Sequence, residues 1–176
     1  KNKFFLAKIP FSYDYAYYYF SIFSNLVAIS LGKTKKVIIT DLDNTLWGGV
    51  LGDDGPEGIE VGTDTPIGNA YLEYQNFLLN LKSRGLLLAI CSKNSFDNVK
   101  NVFKKNKNLL LKVNDFVSIK ANWLNKAKNI AEISNELKLG LDSFVFIDDS
   151  PVERELVRNY LPEVSVPELP DDPSYY

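Results

Sequence analysis

Four short stretches hold the side chains able to do chemistry: Asp41-Leu42-Asp43-Asn44-Thr45, Ser92-Lys93-Asn94, Lys126, and Asp148-Asp149. Three of them follow apolar runs, Val37 to Thr40, Leu86 to Cys91 and Ser143 to Ile147. Each therefore falls where a buried strand meets solvent. In an open parallel sheet, ligands bind beyond the carboxyl ends of the strands. Four carboxylates (Asp41, Asp43, Asp148, Asp149) gathered on one such edge repel one another unless a cation holds them. The chain has no histidine and one cysteine, so ligation by oxygen is what remains. Oxygen ligands suit a hard ion, Mg2+ first. A carboxylate bound to Mg2+ can attack phosphorus, while a second carboxylate two residues later gives a proton to the leaving group and takes one from water. A serine hydroxyl and a lysine ammonium can hold the other phosphoryl oxygens.

Composition removes the competing chemistries. Without histidine there is no Ser-His, Cys-His or His-metal mechanism, and one cysteine makes neither an intrachain disulfide framework nor a cysteine-rich zinc site. The 176 residues suffice for one ordinary domain, and 20 basic against 22 acidic groups give a net charge of -2. That balance argues against a nucleic-acid partner. It hides an uneven distribution, because residues 1–36 carry six lysines against Asp14 and ten of the 23 aromatic residues. Tyr15 to Gly32 is uncharged, but Ser21, Ser24, Asn25, Ser30 and the tyrosines fit a hydrocarbon core poorly. An amphipathic helix capped at Ser12, with Tyr15, Tyr19, Ile22, Leu26 and Ile29 on one side, is the expectation. We expect a cytoplasmic protein without a membrane partner. The first residue is Lys and methionine is absent, which points to a fragment.

The positioning elements follow from periodicity. Val37 to Thr40 reads as a strand, and six glycines between Gly48 and Gly62 read as a loop or hairpin close to a ligand. Pro66 opens a helix with Ile67, Ala70, Tyr71, Tyr74, Leu78 and Leu81 on one face, closed by Gly85. Leu86 to Cys91 is a second strand, and Ser95 caps a helix through Val99, Val102 and Phe103. A further strand falls between Leu109 and Ile119, then a helix over Lys126 to Leu137 with Ile130, Ile133 and Leu137 in phase, stopped near Gly140. Ser143 to Ile147 is a strand, and Ser150-Pro151-Val152-Glu153 makes a capping box with proline at the first helical position. Val164 to Val166 reads as a last strand. Four of the eight prolines lie in the final fifteen residues, the mark of a linker. The sum is an α/β protein: a Rossmann-like parallel sheet of about five strands with helices on both faces. Residues 1–36 form an aromatic and basic helical segment, 37–166 the catalytic domain, and 167–176 the linker.

Each motif alone is weak, since Asp pairs and serines also serve as turn and cap residues. Their order and their placement at strand ends make the signal. Lys126 is poorly placed for the dipole of the helix it opens, which sets a ligand role beside the plainer reading of a solvated lysine.

Together the four pieces resemble the motifs of the haloacid-dehalogenase-like (HAD) phosphohydrolase superfamily. The longer stretches DLDNTLWGGVLGDDGPEGI (Asp41 to Ile59), CSKN (Cys91 to Asn94), NWLNK (Asn122 to Lys126) and FIDDSPVERE (Phe146 to Glu155) are similar to the FkbH-like family, as are KIPFS (Lys8 to Ser12) and VPELPDDP (Val166 to Pro173). Asn125 and Ser150 stand where that family's pattern has Pro and Asn. The resemblance implies a sheet of order 5-4-1-2-3 and little or no cap domain. It implies Asp41 as nucleophile and metal ligand, Asp43 as acid/base and as a ligand through its carbonyl, Asp148 as a ligand of the Mg2+, and Asp149 as a further ligand or as support behind the ligands. Thr45, Ser92, Lys93, Asn94 and Lys126 would bind phosphoryl, and Trp47 with its following glycines would form a flap. It implies a phosphorylated small-molecule substrate and, more finely, glyceryl transfer from 1,3-bisphosphoglycerate to an acyl carrier protein through a thioester. Cys91 is the one candidate for that thioester, against a plain core thiol. Many such proteins continue into a further C-terminal domain. Three other readings stay open: a generic small-molecule or protein phosphatase, a receiver-like phosphoacceptor, and a non-catalytic scaffold. The receiver places its acidic pair before the acceptor, the reverse of the order here.

Overall fold

The four apolar runs become the strands β1 (Val37–Thr40), β2 (Leu87–Ser92), β3 (Phe116–Ala121) and β4 (Phe144–Ile147) in the computed structural model, which describes residues 12–176. All pair in parallel, in the order β3-β2-β1-β4. Val37 to Thr40 is buried on both faces, so these strands carry apolar residues at consecutive positions. Alternate side chains still part into two cores. Ile38, Leu88 and Ile90 join Leu42, Trp47, Tyr71, Tyr74 and Leu78 on one side. Val37, Ile39, Ala89 and Cys91 join Ile130, Ile133, Phe146 and Val157 on the other. Full burial of a side chain such as Ile39 contributes on the order of 2–3 kcal/mol.

Helices cover both cores. The first is closed by α3 (Pro66–Ser83) and α4 (Phe96–Lys105), the second by α5 (Lys126–Leu137) and α6 (Pro151–Tyr160). Thr65 caps α3 by accepting from Gly68 N at 2.9 Å, with Pro66 at its first position. Lys138 in the left-handed region (φ 53) ends α5, just before Gly140. Ser150 caps α6 by accepting from Glu153 N at 3.4 Å, but the Glu153 carboxylate bonds Lys93 and does not return to complete the box.

Two expectations change. The sheet has four strands, not about five, because Val164–Val166 makes a single bridge, Ser165 to Val145. Pro162 and Pro167 flank it closely, and proline has no N–H with which to lengthen a ladder. The glycine-rich stretch is not all loop: it holds a short helix, α2 (Leu51–Gly58), broken at Gly55, and a bridge between Gly48 and Glu60. Buried Leu51 anchors α2, and the Asp54 carboxylate accepts from Val50 N at its start (2.7 Å), where an anion also suits the helix dipole.

The chain divides after residue 34 into two units. In the first, α1 (Tyr13–Ser30) starts where the Ser12 hydroxyl accepts from Tyr15 N at 3.3 Å. Its Ile22, Leu26 and Ile29 are exposed. Among the described residues no helix is long and apolar enough to cross a membrane. Most of the KIPFS stretch lies outside the described residues. In the second unit, residues 35–176, no separate cap domain interrupts the described chain. Residues 167–176, expected as a linker, lie against this unit: Glu168 pairs with Arg154 (2.9 Å) and Arg158 (2.5 Å), and Tyr176 packs on Tyr71 and Tyr74.

Candidate active site

Asp41 continues the β1 ladder by one residue, donating its N–H to the Ile147 carbonyl at 2.9 Å. This sets it beside Asp148, the residue after β4. In the order β3-β2-β1-β4 the winding reverses between β1 and β4, the place where an open sheet leaves a crevice. Lys126, at the first position of α5, enters from the side and is 2% exposed. Its Nζ donates to Asp41 Oδ2 at 2.7 Å and to Asp148 Oδ2 at 2.5 Å. Two carboxylates thus account for a lysine that the helix dipole disfavours.

One oxygen from each of Asp41, Asp148 and Asp149 lies within 4.8 Å of the others. One ammonium cannot neutralise three carboxylates, and two negative charges are left over. Burial first, then the charge of Asp41, pushes the Asp148 carboxyl up to about 6 despite Lys126. The same two causes raise Asp149. Burial works against the Lys126 ammonium, yet Asp41 and Asp148 outweigh it and hold the group above its ordinary value. Asp148 Oδ1 accepts from Ser150 N at 2.9 Å and Asp149 N donates to Thr45 Oγ1 at 3.1 Å. Asp41 Oδ1 is buried and has no hydrogen-bond partner among the described residues. A buried, unpartnered carboxylate oxygen beside a residual charge of two is what a divalent cation and a phosphoryl group would complete.

The second half of the site surrounds Asp43. Its Oδ1 accepts from Trp47 Nε1 (3.0 Å) and Leu51 N (3.1 Å), and its Oδ2 from Asn94 Nδ2 (2.8 Å). Asn94 also donates to the Ser92 hydroxyl at 3.1 Å. The turn carrying these groups is closed by Asn44 (φ 51) and Gly49 (φ 89) in the left-handed region. Asn44 Oδ1 accepts from Gly49 N at 2.9 Å. At φ 89 glycine is the residue that takes this conformation without strain, and a Cβ there would also meet Asp54 Oδ2 at 2.9 Å.

The structure thus brings together Asp41, Thr45, Lys126, Asp148 and Asp149 on one side, and Asp43, Ser92 and Asn94 on the other. Two expected residues are elsewhere. Lys93 is drawn out to Glu153 (2.5 Å) and half exposed. Cys91 is fully buried in the core under α5, its Sγ 3.8 Å from the Lys126 carbonyl, and burial pushes its thiol up to about 12. Trp47, expected in a flap, is fully buried edge-on to Phe103, with only its N–H turned to Asp43.

Sequence reasoning missed Arg154 and Gln75. Arg154 donates to the Asp148 and Asp149 carbonyls (2.9 and 2.7 Å) and props up the acidic loop. Its phase with Val157 on the buried side of α6 was the available signal. Gln75, fully buried in α3, donates to the Leu46 carbonyl and accepts from Leu110 N. An isolated glutamine among leucines carries no comparable mark.

No family model and no curated protein matches the chain. Solved structures do. The N-terminal part of a Bacteroides fragilis protein, containing a phosphatase domain and complexed with Mg, is 50% identical at a TM-score of 0.83; the match covers 85% of this chain and 40% of that one. A HAD family enzyme of Bacteroides thetaiotaomicron, an Asp-to-Ala mutant in complex with magnesium and inorganic phosphate, is 12% identical (TM-score 0.55, 78% and 95% covered). A predicted HAD-like family hydrolase of Porphyromonas gingivalis is 13% identical (TM-score 0.55, 79% and 92% covered). The chain shares the fold of these HAD-family structures. It spans less than half of the Bacteroides fragilis chain that it matches.

Proposed function

We propose that this chain is a Mg2+-dependent phosphoryl hydrolase or transferase working through an aspartyl-phosphate on Asp41. The observation that carries the reading is the incomplete charge balance at the β1/β4 crevice: three carboxylates, one ammonium, and a buried free oxygen on Asp41. Asp41, Asp148 and Asp149 would hold Mg2+, with the Asp43 carbonyl as a further ligand. When bound, the ion neutralises charge on the phosphoryl oxygens. An Asp41 oxygen attacks phosphorus, the ester P–O bond breaks, and the leaving oxygen takes a proton from Asp43. Water then gives its proton to Asp43 and attacks phosphorus, breaking the P–O bond to Asp41 and releasing phosphate. Lys126, Ser92 and Thr45 hold phosphoryl oxygens, and Asn94 orients Asp43 and Ser92.

The test is Asp41→Asn, assayed with an aryl phosphate in Mg2+. Phosphate release should fall on the order of a thousandfold or more while the fold survives. Wild-type turnover by the variant would sink the mechanism. A stable phosphoenzyme that never turns over would instead mark a receiver-like acceptor.

The motif likeness to FkbH-like proteins supports a finer reading, glyceryl transfer to an acyl carrier protein. It needs a thiol that can reach a substrate, and Cys91 is sealed in the core with a raised pKa. We therefore keep the proposal to phosphoryl chemistry.

A further inference from the structure

The segment after α6 returns to the site. Tyr176 packs edge-on against Tyr71 (6.2 Å) and Tyr74 (5.6 Å). Its hydroxyl donates to the Asn44 carbonyl at 3.0 Å, and Tyr71 donates to the same oxygen at 3.5 Å. A cavity of about 250 Å³ lies there, lined by Asn44, Tyr71, Asp149, Pro170, Asp171 and Tyr176. Asp149 belongs also to the three-carboxylate cluster, so the cavity opens beside the place where phosphorus would sit. Pockets for drug-sized ligands run to about 300–1,000 Å³, and this one suits a short group.

Resting on the phosphohydrolase reading above, we propose that this cavity receives the leaving group of the phosphate ester and selects one that carries a protonated amine. The wall is rich in acceptors. Asp171 is exposed and makes no ion pair among the described residues. Both phenols give their protons to Asn44, and burial foremost, with Asp149 contributing, keeps them protonated. What they offer a ligand is lone pairs and ring faces. Asn44 Oδ1 is taken by Gly49 N, leaving its amide N–H groups as the side-chain donors of the wall. An ammonium has three donors and no acceptor, whereas each hydroxyl of a polyol needs both. Carboxylates with tyrosine rings are the surroundings in which an ammonium gains both Coulomb and cation–π attraction.

The experiment reads affinity apart from turnover. The Asp41→Asn protein in Mg2+ is titrated by calorimetry with 2-aminoethyl phosphate and with 2-hydroxyethyl phosphate. The amine should bind roughly tenfold more tightly. Adding Asp171→Asn, at an exposed position that leaves folding intact, should bring the two affinities within about twofold. Equal affinities in the parent overturn the proposal, as does a preference that survives both Asp171→Asn and Tyr176→Phe. The underlying reading is judged separately: if the amine preference holds but the wild type hydrolyses no ester, the cavity stands and the hydrolase reading falls.

Discussion

The two halves of the carboxyl edge are built on opposite principles. Between β1 and β4, charge is crowded and unfinished: Lys126 bridges Asp41 and Asp148, Asp149 adds a third carboxylate, and an Asp41 oxygen has no partner among the described residues. Between β1 and β2, polarity is finished. Asp43 accepts three hydrogen bonds from neutral donors, and Asn94 ties it to Ser92. Buried polar groups are normally satisfied inside the protein, so the first half is shaped for something the chain does not contain. The second half is a frame that holds its carboxylate in place.

If that contrast is right, Lys126→Ala should do the most damage. It leaves Asp41 and Asp148 buried without their cation, a loss on the order of 3–5 kcal/mol. Chemical denaturation should show the loss in chelator and a partial recovery in Mg2+. An equal loss in both conditions would mean that no ion shares the charge. Asp43→Asn should behave otherwise. It keeps the shape of the framed side chain but turns an amide NH2 toward one of its three donors, so stability should fall by only about 1–2 kcal/mol, while kcat falls by about 10²–10⁴. A stability loss comparable to that of Lys126→Ala would erase the distinction between the halves.

Acidity gives a smaller and signed effect. Burial, then the charge of Asp41, pushes the folded Asp148 carboxyl up to about 6, above the roughly 3.9 of an unfolded aspartate. The native state thus binds this proton more tightly than the unfolded chain does. Its burial penalty is absent below the unfolded value and complete above about 6, so metal-free protein loses stability as pH rises between them. Denaturation midpoints at pH 4.5 and 6.5, as approximate settings, would check the sign; Mg2+ should flatten the trend. The smallest expectation concerns Cys91, which should resist a thiol reagent near pH 8 until denaturant is added. Rapid labelling of the native protein would reopen the thioester route.

Much of the charged half was legible. Asp41, Lys126 and Asp148 sit at boundaries between apolar runs and polar residues, and such boundaries are written in the order of residues. The framed half was legible only in part. Ser92 and Asn94 stood out at the end of β2, but that Trp47 would bury its ring and turn its N–H to Asp43 depended on the turn at Asn44 and Gly49. Periodicity found the helix opened by Pro66 and the one opened by Lys126. It did not find α2, whose start is fixed by Leu51 entering the core, nor that the prolines around Val164–Val166 would cut a fifth strand to one bridge.

What the residues determined alone was local: two-sided apolar strands, capped helices, and carboxylates after β1 and β4, because burial period and cap chemistry act over a few positions. What only the tertiary structure decided was pairing at long range. The ammonium of Lys126 found two carboxylates, and the hydroxyl of Tyr176 found a carbonyl 132 residues earlier. Such partners are chosen by the shape left over once the sheet has closed, and that shape belongs to no segment of the chain.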